Sequence, residues 1–217
     1  MDSFSLVLFL TPLLVYMLGF SLMRLSGRCH VTTGGREIVA LAFAVSGMMV
    51  VGPVELFFPM AAAAVFGVMV WAILSLFYCL CVCLLVLGAA PKLVVYGCRP
   101  SELSDFLLSA ARSLDADAEI DHERLQVHLP SVGVRLRIAG PENLDHATIV
   151  AFEDNLSTHF WLKLRDSLRA QLMGKKTSQR RGWLMFFAAI MLGGFLVAET
   201  VQSVDVMAAD FQAWLWR

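Results

Sequence analysis

Three sets of residues in this chain have types and spacings that could do chemistry. Cys79, Cys81 and Cys83 offer thiolates for a soft metal or for redox exchange. On a helix, however, Cys79 and Cys83 share a face while Cys81 points away, and a structural zinc site needs four converging ligands. Their surroundings are wholly apolar, so they are read as small packing residues, or as acylation sites if that helix end reaches a membrane interface. The histidines His30, His122, His128, His146 and His159 are joined by no HExxH and no CxxC. A histidine without an oriented partner is ordinarily surface. Asp115, Asp117, Glu119, Asp121 and Glu123 alternate, so an extended chain would gather them on one side as oxygen ligands. The EF-hand pattern fails, because Ile120 stands where Gly is needed and Gln126 where the closing Glu belongs. A solvated edge that discourages strand pairing is the simpler reading. No catalytic residue, metal ligand or cofactor site is assigned.

Whatever positions these groups must be built from two different materials. The chain has 217 residues, 58% apolar and 16% charged, with 17 Lys and Arg against 18 Asp and Glu. That profile excludes a disordered chain and a nucleic-acid binder. Residues 92–181 carry 25 of the 35 charges, and the remainder contains apolar runs long enough to cross a bilayer. An integral membrane protein is expected, with helices one to three in 1–91, a charged domain in 92–181, and a fourth helix with a tail in 182–217.

The four expected spans are 4–23, 38–58, 60–89 and 183–201. The first starts with Asp2, lacks basic residues at its start and is followed by no small-x-small cleavage site, so it is read as a retained anchor. The cluster Gly52-Pro53-Val54-Glu55 marks the exit of the second, and the third is long enough to tilt or project. A pump or ion transporter would place a charge near the midplane, and none is there. Glu55 and Glu199 lie near the outer ends and could meet. Ala44-Val45-Ser46-Gly47 lacks the first glycine of a GxSG motif and no span contains a histidine, which argues against an intramembrane serine protease. Sixteen of the 17 basic residues fall in the two loops on one side, Arg217 being the exception. The positive-inside rule therefore puts both termini outside and 92–181 in the cytoplasm of a cell (inner) membrane. Cys29 and Cys98 then lie on the reducing side, and no structural disulfide is expected.

Within the charged domain, Lys92–Gly97 reads as a strand broken by Cys98-Arg99-Pro100. Ser101 is placed to cap a helix bearing Leu103, Phe106, Leu107, Ala110 and Leu114 on one face. Leu125, Val127 and Leu129, then Val134, Leu136 and Ile138, alternate with polar residues as half-buried strands. Ala147–Phe152 is a further strand, followed after Ser157 by a helix carrying Trp161, Leu164, Leu168 and Leu172. The fold class expected is four transmembrane helices plus a small α+β sandwich, its two helices on one face of a mainly antiparallel sheet, with Leu107, Val127, Leu136 and Trp161 in the core. The order resembles a ferredoxin-like domain without the second βαβ half. The stretches LVVYGCRPSELSDFL (93–107) and NLSTHFWLKLRDSLRAQL (155–172) are similar to a group of uncharacterised bacterial multi-pass membrane proteins with a small cytoplasmic α+β domain. That resemblance covers the domain alone, contains no chemical motif and implies no activity.

Lys163–Arg181 is strongly basic and Glu102–Glu123 strongly acidic, so Lys175, Lys176, Arg180 and Arg181 are expected to contact the membrane surface, or simply to flank the last span. Ala63, Gly67, Gly193 and Gly194 are expected at helix-packing positions. Past Glu199, Val201, Val204, Met207, Ala208, Phe211 and Leu215 recur at helical steps, with Trp214 and Trp216 suited to the membrane boundary, so an amphipathic outer tail is expected to bury the Glu55 turn or lie on the leaflet. The function expected is non-enzymatic: a multi-pass protein whose domain binds a partner or organises an envelope complex. A small transporter or channel subunit is the alternative, and a membrane-bound enzyme the second. The expected partners are the lipid bilayer and a protein or a second copy of the chain.

Overall fold

The computed structural model describes residues 3–54, 60–153, 156–177, 179–203, 206 and 211–212. The chain forms two compact units, one made of Met1–Ser21, Ile38–Gly88 and Trp183–Arg217, the other of Leu22–Glu37 and Ala89–Gly182.

The first unit is helical. Its elements are α1 (Ser3–Leu25), α2 (Gly34–Met49) continued by a π-helical turn (Val50–Val54), α3 (Met60–Phe66), α4 (Met69–Gly88) and α7 (Arg180–Gln202). Among the described residues, four helical stretches are long and apolar enough to cross a membrane: Ser3–Leu25, Gly34–Pro53, Met69–Gly88 and Gly182–Gln202. At about 1.5 Å per residue each reaches roughly 30 Å. Only 6% to 17% of their apolar windows is buried, leaving side chains such as Leu87 and Met191 exposed.

The apolar run from Met60 to Ala89 is not one helix, as its length suggested. Gly67 adopts φ +53°, a left-handed conformation that an α-helix cannot contain, and the chain restarts with Val70 N donating to Gly67 O at 3.2 Å. α4 alone has span length. The second run also begins earlier than expected, at Gly34, and its Gly52-Pro53 end is widened into the π turn, where Pro53 has no N–H to give the helix. α1 meets α7 through Ser3 Oγ donating to Glu199 Oε1 at 2.7 Å, and α4 meets α2 through Tyr78 OH donating to Ala42 O at 2.7 Å. Of the expected tail, Phe211 rests edge-on against Phe4 with ring centres 5.6 Å apart. Val204, Met207, Ala208, Trp214, Leu215 and Trp216 lie outside the described residues, as does Glu55.

The second unit is a six-stranded antiparallel sheet in the order β1-β2-β6-β5-β4-β3, formed by His30–Thr33, Lys92–Tyr96, Glu119–Asp121, Gln126–Leu129, Val134–Ala139 and His146–Ala151 in chain order. One of the two edge strands, β1, comes from the segment between α1 and α2, which the sequence suggested was only a loop. His30 pairs with Tyr96 and Thr33 with Leu93. The helices α5 (Pro100–Arg112) and α6 (Thr158–Gln171) contact each other and lie on one face, α5 over β3 to β6 and α6 over β1 and β2. β3 to β6 form a meander where a ferredoxin-like arrangement would need its second βαβ half.

Local chemistry explains most of these boundaries. Pro100 opens α5 with its ring pre-set for a helix, and the cap position falls on Arg99 without a side-chain cap. Ser101, expected as the cap, instead donates its hydroxyl to Glu142 at 2.9 Å. Ser157 caps α6 by accepting from Phe160 N. Leu125 adopts φ +51°, so β4 begins one residue later than the alternation suggested. Val134, Leu136 and Ile138 point inward while Arg135 and Arg137 face water. Leu107, Val127 and Leu136 are fully buried and Trp161 nearly so, in one core shared by both helices and the sheet.

Candidate functional site

The second unit brings together residues from three distant segments. The β1–β2 register continues past His30 and Tyr96 to bring Cys29 beside Gly97, whose carbonyl accepts from Cys29 Sγ at 3.4 Å. Gly97 has φ +87° and its N–H donates to Asp145 O, turning the chain so that Cys98 lies buried at the strand end. After α6 the chain returns alongside β1: Thr177 N donates to Gly27 O at 3.0 Å, and Arg28 and Lys176 pair through their backbones. That return delivers Lys175. Its ammonium donates to Cys98 Sγ at 3.3 Å and to Glu102 Oε2 at 2.5 Å, and it lies 4.9 Å from the centre of the Phe106 ring.

The electrostatics of the cluster are asymmetric. A hydrogen bond from Cys29 stabilises the Cys98 thiolate, burial opposes it, and Lys175 adds to the first effect, leaving Cys98 at about 7 instead of 9.0. The same contact with Cys98, then burial, pushes Cys29 upward. Cys98 is therefore the more acidic of the two thiols. Burial works against the Lys175 charge, but Glu102 and Cys98 overcome it, so the ammonium is held above its ordinary value.

Beside this cluster opens a groove of about 1030 Å³ whose walls include Arg28, Cys29, His30, Arg169, Lys175 and Lys176, and whose described lining holds no carboxylate. Burial, then the neighbouring Arg169 and Arg28 charges, lower the basicity of His30 and keep it neutral near pH 7. The groove thus presents fixed positive charge from Arg28, Arg169 and Lys176, with Lys175 already engaged by Glu102.

The residues singled out from sequence fall in several different places. Lys175 is not a free surface cation: it faces Cys98 and Glu102, with its side chain 20% exposed. Lys176 is exposed in the groove wall, and Arg180 and Arg181 open α7. Gly67 is the break between α3 and α4 and has open space around it, as does Gly194. Ala63 lies within α3. Gly193 faces Leu14 of α1, whose methyl carbons would be 3.6 and 3.7 Å from an added Cβ. The tightest packing glycine is Gly47 of α2, where a Cβ would overlap the carbonyl oxygens of Leu8 and Phe9. A glycine inside a helix costs about 1 kcal/mol relative to alanine, and that cost was the available signal.

Asp115 is separated from the acidic row. Its carboxylate accepts from Ser131 N at 2.8 Å, Ser131 Oγ at 2.9 Å and Asp117 N at 3.1 Å. Desolvation opposes its ionisation, but these hydrogen bonds prevail and hold it below the usual carboxylate range. Glu119 and Asp121 sit exposed on the edge strand β3. Cys79 and Cys83 are exposed on α4 and Cys81 is partly buried. Missing from the sequence reading was the conjunction of Cys29, Cys98, Glu102 and Lys175; recognising His-Val-Thr-Thr as a strand partner of Lys-Leu-Val-Val-Tyr would have revealed it. No family model, curated protein or solved structure matches this chain.

Proposed function

We propose that this is a non-enzymatic, multi-pass protein of the cell membrane, with four spans, both termini outside and the sheet unit at the cytoplasmic face, where its groove seats the anionic headgroup of a phospholipid. The observation that carries this reading is the groove itself: Arg28, Arg169 and Lys176 all line it, and its described lining holds no acid. The groove is lined by the segment that follows α1, by Arg169 near the end of α6 and by the segment that joins α6 to α7. A basic pocket at such a position suits a phosphate, and each cation near an anionic leaflet contributes roughly 1 kcal/mol. The positive-inside bias supports the orientation. Anchored in this way, the unit keeps its other surfaces free for a partner in an envelope complex.

The test is lipid retention by the full-length protein purified into discs of phosphatidylcholine with or without phosphatidylglycerol. Native mass spectrometry should detect retained phosphatidylglycerol, lost when Arg28, Arg169 and Lys176 are all changed to Gln. Equal retention of both lipids by both proteins would reject the headgroup site. A reporter active only in the cytoplasm should work after Gly140 and fail at Arg217; the reverse would reject the orientation. Crosslinking in native membranes followed by pulldown identifies the partner.

A further inference from the structure

We propose that Cys29 and Cys98 are a thiol–disulfide exchange pair: Cys29, in the groove wall, takes up a low-molecular-weight disulfide, and buried Cys98 resolves it into a Cys29–Cys98 bond. This goes beyond the lipid reading and does not depend on what the groove binds.

Four observations support it. The two cysteines are neighbours although they come from different segments of the chain: Cys29 Sγ donates to Gly97 O, the carbonyl of the peptide that leads into Cys98, and both side chains pack in the same core cluster. Their access differs: Cys29 lines the groove, whereas Cys98 is 1% exposed. Lys175 stands over the buried sulfur and favours its anionic form, as a resolving nucleophile requires. The neighbouring backbone is fixed by the β1–β2 pairing and by the Thr177–Gly27 hydrogen bond, so the thiols are held as neighbours.

The chemistry balances with a disulfide RSSR as oxidant. Cys29 Sγ attacks one sulfur of RSSR as its proton passes to the neighbouring Cys98 thiolate, forming Cys29–S–S–R; the departing thiolate takes that proton from Cys98 and leaves as RSH. Cys98 Sγ, again a thiolate, then attacks Cys29 Sγ, the mixed disulfide breaks, and the second RS group leaves as a thiolate that takes a proton from solvent. Two protein thiols are oxidised by two electrons and one small disulfide is reduced to two thiols. Excess RSH reverses the sequence. A bond of this kind at a reducing face is transient and regulatory rather than structural.

The experiment uses the full-length protein with Cys79, Cys81 and Cys83 changed to Ala, equilibrated in glutathione redox buffers and analysed by intact mass and peptide mapping. The expected product in oxidising buffer is a Cys29–Cys98 crosslink that glutathione reverses. Cys98→Ser, and Cys98→Ala as a second form in case the hydroxyl disturbs the core, should trap one glutathione on Cys29. Cys29→Ser should leave Cys98 at least about tenfold slower to react, because its sulfur is shielded. Lys175→Met should let the Cys29 mixed disulfide accumulate. Two independently glutathionylated cysteines without a crosslink would overturn the proposal, as would equal reactivity of Cys98 when alone. Lipid retention measured on the same samples reports the groove separately: loss of crosslinking with lipid retained counts against the exchange pair only.

Discussion

Lys175 Nζ lies 3.3 Å from Cys98 Sγ, so the segment that follows α6 is fastened to the end of β2 by an ammonium–sulfur contact. The hydrogen bond from Cys29 is the largest single cause of the acidity of the Cys98 thiol, and Lys175 adds to it through both its charge and its hydrogen bond. Thiolate absorption in the protein retaining only these two cysteines should rise with an inflection at about 7. Lys175→Met and Cys29→Ala should each move that inflection upward towards 9.0. An inflection unmoved by either change would show that these contacts do not set the acidity of Cys98.

Asp115 predicts acid sensitivity of the sheet unit. Its folded value is depressed below 3.8, so its contribution is present above that pH and lost as pH falls through the lower folded value. Asp115→Asn should lower the thermal midpoint of the unit at neutral pH. It should also remove part of the wild-type decline on acidification, so that the two melting profiles converge at low pH. Parallel profiles would show that the carboxylate carries no such linkage.

The two glycines Gly47 and Gly194 should behave oppositely. Gly47→Ala drives a methyl into the α1 backbone and should destabilise the helical unit by about 1–3 kcal/mol, as overpacking generally does. Gly194→Ala meets open space and replaces a poor helix former, so the stability should stay level or rise. Thermal aggregation of the detergent-solubilised protein distinguishes them. Gly67→Ala should cost about 1–2 kcal/mol for its left-handed backbone alone.

Trp161 links α6 to the core that Leu107 enters from α5. Truncating Trp161 to Ala should cost about 3–5 kcal/mol and Leu107 to Ala about 2–5 kcal/mol. Hydrogen exchange should register this as lost protection in the β5 and β6 amides. Unchanged protection in both variants would mean that the sheet does not depend on its helical cover.

What was legible in the sequence follows from how many residues carry each signal. Phe4–Met23 reads as a long apolar helix because every position contributes, and β5 because Val134, Leu136 and Ile138 alternate cleanly with two arginines. β1 has four residues of which only Val31 is buried, too few for a period to show. The break at Gly67 is invisible to hydropathy, since apolar residues continue on both sides; only the backbone angle distinguishes it. The cluster around Cys98 is harder still. It depends on a strand register and on a chain return after α6, and neither leaves a local pattern beside Cys29, Cys98 or Lys175.

The position of β1 at the sheet edge has a consequence for biogenesis. Its partner β2 is translated only after α2, α3 and α4, so a ribosome has produced most of the apolar helices before β1 acquires its first neighbour. Until then Val31 and the strand's hydrogen-bonding groups remain solvated and available to any passing edge. The closing pair, Thr177 with Gly27, waits longer, until the chain beyond α6 has emerged. The first turn of chain after α1 is therefore made before α2 and secured only after α6. Nascent chains arrested before Thr177 should remain cleavable at Arg28, and become resistant once synthesis passes it.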